Sequence, residues 1–108
     1  MQEDVYGDGL RAYQNGKKNA KFIVESDLAE TDRWPIFTFF RSYEEMPEVE
    51  QKALQHVEGK TLDVGAGAGS HSIWLQSKQI DVTAIDVSPG AVEVMRERGV
   101  NRPLLQNY

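Results

Sequence analysis

The spacing of apolar and polar positions changes near Gly59. Before it, the chain is polar, spotted with aromatics and helical in flavour. After it, short β-branched runs alternate with segments of helical period.

In the first part, Asp4 to Gln14 reads as a short helix, which Gly7 and Gly9 weaken by up to about 1 kcal/mol each relative to alanine. "AKFIVES" (Ala20–Ser26) is β-branched and aromatic, as a short strand is. "WPIFTFF" (Trp34–Phe40) gathers three phenylalanines and a tryptophan and reads as core before lid. Pro47 is a natural first helical residue, and Val49, Ala53 and Val57 then fall on one face. Gly59 sits where a left-handed cap would end that helix.

In the second part, "KTLDV" reads as a strand and Ser70–Lys78 as the helix after it. Ile80–Asp86 is the next strand, with Ile80, Val82 and Ala84 on one face. Ser88–Gly99 has a complete helix grammar. Ser88 is the N-cap, Pro89 the first residue, Arg96 and Arg98 the basic last turn, and Gly99 the stop. "RPLLQNY" begins a third strand. Strands joined by helices of this length form parallel βαβ units, so the fold class is α/β. The expected division is a helical cap segment over 1–59 and a sheet-forming part over 60–108.

With 108 residues there is room for one small domain with a modest core. Cysteine is absent, which excludes disulfides and thiolate metal sites and is compatible with a reducing compartment. The start "MQEDVYGDGL" is acidic and does not read as a signal peptide. No apolar run nears the roughly 20 residues that cross a bilayer. A net charge of −5 argues against a nucleic-acid partner. The expectation is a cytoplasmic protein with no membrane partner.

The chemistry gathers in "LDVGAGAGSHS" (Leu62–Ser72) and Asp86. Ligands of open α/β sheets bind beyond the carboxyl ends of the strands. Asp63 and the glycines Gly65, Gly67 and Gly69 end the first strand of this part, and Asp86 ends the second. Neighbouring strands lie about 4.8 Å apart, so the two ends are close in space. Glycine lets a ligand touch backbone where a Cβ would obstruct it. A strand-end acid can accept from both hydroxyls of a ribose. A nucleoside site follows. The dinucleotide fingerprint G-x-G-x-x-G, with an acid about 20 residues on, fits in part. Asp86 is 21 residues after Gly65, but the third glycine comes one position early. Asp63 beside the loop is awkward for a pyrophosphate and suits an ammonium.

"LDVGAGAGSHS" followed by "VTAIDVSPGAVEVM" resembles the first two motifs of class I S-adenosylmethionine (SAM)-dependent methyltransferases, over about residues 60–107. The resemblance implies a partial Rossmann-like parallel sheet of strand order 3-2-1. It implies SAM as cofactor, with Asp63 and the loop Gly65, Ala66, Gly67 and Gly69 at its methionine end. It sets Asp86 on the ribose, Val87 and Ser88 near the adenine, and Asn107 at the adenine amine, where the family often has an acid. An N-terminal cap would bring Arg41, Tyr43 and Met46 toward the ligand; the same stretch also reads as a solvated acidic helix. His71 is expected to be exposed or capping, and no catalytic residue is named.

In this family the sheet continues beyond the first strand, which is central. The expectation is therefore a part of a longer enzyme, inactive alone, whose first strand becomes an edge that favours a homodimer. The methyl acceptor would be a small molecule or a protein. The alternatives are a NAD(P)-dependent oxidoreductase fragment and a non-enzymatic interaction module.

Overall fold

The computed structural model describes residues 3–19, 21–25 and 31–107, with the backbone alone for 22–25 and 31–34. Ala20, Ser26 and Tyr108, which fall in the expected strands, lie outside the described residues, as does the side chain of Trp34.

Helix α1 (Val5–Gln14) forms despite its glycines because Asp4 caps it: the Gly7 amide donates to Asp4 Oδ1 at 2.9 Å. Strands β1 (Lys21–Glu25) and β2 (Thr31–Pro35) pair antiparallel as a separate two-stranded sheet. The aromatic run continues from β2 into a 3-10 helix, Ile36–Phe40. Ile36 is buried against Leu10 and Tyr13, while Phe37 is exposed. A second 3-10 turn, Tyr43–Glu45, starts at a reciprocal cap between Ser42 and Glu45.

Helix α2 (Glu48–Gln55) departs in part from the expected face, since Val57, just past its end, does pack on the core while Val49 and Ala53 do not. Val49 is 78% exposed, and Leu54 is the buried residue, packed with Met46, Leu75 and Val82. The i, i+4 pattern of Val49 and Ala53 is outweighed by the larger apolar area of Leu54. Pro47 is the N-cap, one position earlier than expected. His56, not Gly59, ends the helix; Gly59 takes its left-handed φ of +76° in the turn before the next strand.

Strands β3 (Thr61–Val64), β4 (Val82–Asp86) and β5 (Pro103–Leu105) form a parallel sheet with β4 between the other two. Helix α3 (Ser70–Ser77) joins β3 to β4, and α4 (Pro89–Arg98) joins β4 to β5. Strand β4 is buried on both faces, Val82 and Ala84 on one and Ile85 on the other, as a middle parallel strand must be. At the outer edge of β3, Leu62 and Val64 are 57% and 51% exposed. Helix α4 has the predicted grammar: Ser88 Oγ accepts from the Ala91 amide, Pro89 is first, and Gly99 stops it at φ +97°.

The first part of the chain has its core in common with the second. Leu10, Tyr13 and Ile36 pack with Ala68, Ala91 and Val94. Helices α1 and α4 meet glycine to glycine, where a Cβ on Gly90 would lie 2.6 Å from the Gly7 Cα.

Candidate functional site

The carboxyl ends of β3 and β4 meet at the glycine turn. Gly65, Gly67 and Gly69 all have left-handed backbones, at φ +67°, +61° and +83°. An L side chain is strained in each of these positions. A Cβ on Gly69 would press on Val100 and Met95 at 2.7 and 2.9 Å, and one on Gly67 would lie 2.6 Å from the Tyr6 hydroxyl. The turn is therefore held from below by α4 and from above by α1.

Asp86 ties this turn to its own strand. Its Oδ2 accepts from the Gly67 amide and its Oδ1 from the Ser88 amide, both at 2.9 Å, and the residue is 4% exposed. A carboxylate has about four lone-pair positions, so two remain for a ligand. Asp63 accepts at Oδ2 from Ser72 Oγ at 2.7 Å, and Ser72 is fully buried. Arg98 braces the turn from the far side. Its Nη1 donates to the Ala68 carbonyl at 2.7 Å and to Ser70 Oγ at 3.1 Å, over the Phe40 ring. Burial pulls the Arg98 guanidinium below its ordinary pKa, and Tyr13 nearby acts the other way.

Two cavities adjoin at Gly65, which lines both. The first, about 650 Å³, is bordered by Asp86, Val87 and Ser88 and by Glu3, Asp4 and Tyr6. Among the described residues, no lysine or arginine lines it. The second, about 300 Å³, holds Asp63, Ala66 and His71 from the sheet end, with Phe39, Arg41 and Glu50 from the first part of the chain.

The sequence-derived residues thus separate. Asp86, Val87 and Ser88 border one cavity, Asp63 and Ala66 the other, and Gly65 both. Gly67 and Gly69 are buried within the turn, and Asn107 is exposed and lines neither cavity. Of the suggested cap residues, Arg41 and Met46 line the second cavity. Tyr43 does not: its ring stacks on Trp74 at 4.5 Å. His71 reaches Glu50 at 3.8 Å, a partner that its sequence neighbours do not suggest. Sequence reasoning missed Glu3, Asp4 and Tyr6, which enter the site only because α1 docks on α4. The paired glycines Gly7 and Gly90 were the available signal.

Acids at two adjacent parallel strand ends, a left-handed glycine turn and a helix starting from it define a Rossmann-like α/β ligand-binding fold. Residues 61–107 match the family described as methyltransferase domain. A solved structure of a SAM-dependent methyltransferase from Bacteroides fragilis, in complex with S-adenosyl-L-homocysteine, is similar at 36% identity and a TM-score of 0.82. The likeness takes in 96% of this chain and 43% of that one, so this chain spans less than half the length of that relative. A structure described under the conversion of a disulfide bond into a thioacetal group during echinomycin biosynthesis has 28% identity over 55% of this chain and 27% of its own, with a TM-score of 0.47. Comparison with curated proteins gave no match. Residues 61–107 thus match a methyltransferase domain, and the chain is similar in sequence and fold to a SAM-dependent methyltransferase.

Proposed function

We propose that this chain binds SAM and forms the cofactor-binding part of a methyltransferase, with residues 1–59 as a cap segment and 60–108 as the Rossmann-like part. The observation that carries the reading is the charge of the two adjoining cavities. Among the described residues, three acids, Glu3, Asp4 and Asp86, line the first cavity with no lysine or arginine. A pyrophosphate there would meet like charge, whereas an uncharged nucleoside next to a sulfonium would not. This disfavours the NAD(P) reading. The S-adenosyl-L-homocysteine bound in the similar Bacteroides fragilis structure supports the SAM reading.

In this reading Asp86 offers its two remaining acceptor positions to the ribose hydroxyls. Val87 and Ser88 border the adenine; Asn107, exposed two residues after β5 and outside the cavity lining, is assigned to the adenine amine on the family resemblance alone. Asp63 takes the ammonium of the methionine end. Gly65 and Ala66 present backbone to the ligand, while Gly67 and Gly69 make the turn possible. SAM, when bound, supplies an electrophilic methyl on a sulfonium. The chain's own work is to hold that group in line and exclude water.

A methyltransferase requires a methyl acceptor. The net charge of −5 favours a small molecule or a protein over nucleic acid. No described helix is long and apolar enough to cross a membrane; a cytoplasmic location is part of the proposal. So is a homodimer, supported by the exposed edge of β3 with Leu62 and Val64. A monomeric mass by light scattering at tens of micromolar would rule the dimer out.

Calorimetry with SAM, S-adenosylhomocysteine and NAD tests the cofactor. Binding of the first two without NAD is expected. Binding of NAD alone would sink the reading, and binding of none would favour an interaction module.

A further inference from the structure

A ligand that runs between the two cavities passes carboxylates at both strand ends. It meets an arginine at one place. Among the described residues lining either cavity, Arg41 is the only lysine or arginine; His71 is the other basic group and is a cation only when protonated. The Arg41 side chain is 18% exposed, so little water screens its charge.

Arg41 is also held in place. Its Nε donates to the Thr38 carbonyl at 2.8 Å, and its Nη2 donates to both oxygens of Glu50, at 2.9 and 3.2 Å. Nη1 donates to no described residue. The planar fork is thus oriented at one side and open at the other. The same Glu50 carboxylate also lies 3.8 Å from His71 Nε2.

We infer that Arg41 receives the α-carboxylate of the cofactor's amino-acid tail, opposite Asp63 on the α-ammonium; this rests on the SAM reading above. The tail is a zwitterion. In the second cavity its carboxylate would otherwise lie beside Asp63 and Glu50 with no fixed cation, and an uncompensated charge in a partly dry site is strongly unfavourable. A guanidinium offers the planar, charge-assisted geometry that a carboxylate fits, which a lysine does not. Glu50 is then a positioning residue that aims the fork. The cap segment consequently reads the amino-acid half of the cofactor, and the strand ends read the nucleoside half.

The test compares two ligands on the full 108-residue chain by calorimetry. S-adenosylhomocysteine has the tail; 5′-methylthioadenosine has the same nucleoside and no tail. Arg41→Gln should weaken the first by roughly ten- to a hundredfold and the second by less than about threefold. Glu50→Gln should give a smaller loss in the same, tail-dependent sense. Equal losses for the two ligands, in Arg41→Gln and in the milder Arg41→Lys alike, would overturn the assignment. So would a tail-selective loss in His71→Gln that Arg41→Gln does not show. If the unaltered chain bound neither ligand, the SAM reading itself would fall, and this assignment with it.

Discussion

The carboxylate of Asp86 accepts the backbone amide of Gly67 at 2.9 Å across 19 residues of sequence. With the Ser88 amide on its other oxygen, this acid is part of the turn's structure before any ligand arrives. Asp86→Ala leaves two amides without their acceptor, one of them in the buried turn. A loss of about 2–4 kcal/mol in stability is expected, with loss of nucleoside binding. Denaturant unfolding and adenosine titration measure the two effects. Unchanged stability would show that the amides find other partners.

Gly67→Ala sets a Cβ 2.6 Å from the Tyr6 hydroxyl at a φ of +61°. The left-handed strain alone is about 1–2 kcal/mol. Adding Tyr6→Phe removes the clashing oxygen but not the strain. The double variant should therefore recover part, and not all, of the lost stability. Full recovery would mean that the backbone conformation matters little.

Gly90 lies within α4, where replacing glycine with alanine ordinarily stabilises by about 1 kcal/mol. Here the new methyl meets the Gly7 backbone at 2.6–2.9 Å. The sign should reverse: Gly90→Ala should destabilise by about 1–3 kcal/mol and loosen α1. A stabilised Gly90→Ala protein would show that α1 shifts freely over α4.

Asp4 carries a pH signature. Burial raises its pKa, but bonds from the Gly90 amide, the Ser88 hydroxyl and the Gly7 amide outweigh burial, with help from Arg11. The net effect holds the carboxyl below its ordinary 3.8. A depressed folded-state pKa contributes stability that is complete above the unfolded value and is lost as pH falls through the folded one. Asp4→Asn should thus be less stable than the parent at pH 7, with the gap narrowing below about pH 4. Unfolding midpoints across that range check it; a gap independent of pH would remove Asp4 from the acid transition.

Much of the sheet-forming part was legible in the sequence, because its signals are local. Ser88, Pro89 and Gly99 specify α4 by hydrogen bonding and φ alone. The glycine turn is equally local, since no other residue tolerates three left-handed positions so close together. The antiparallel pairing of β1 with β2 was not legible: one partner begins at Thr31, in a polar stretch with no alternation. The face of α2 was misread because Val49 and Leu54 compete for burial, and tertiary packing against Leu75 and Val82 decides it. The cap's share of the site was hidden for a related reason. The glycines Gly7 and Gly90 permit a close approach of α1 to α4, but neither specifies that the Asp4 carboxylate ends on the Gly90 amide.

That carboxylate closes a ring of sequence. Asp4 bonds Ser88 and Gly90 across 84 and 86 residues, and the first cavity takes its border from both ends of this ring. The first cavity therefore exists only while α1 is docked on α4, so nucleoside binding would report that docking and not the sheet alone.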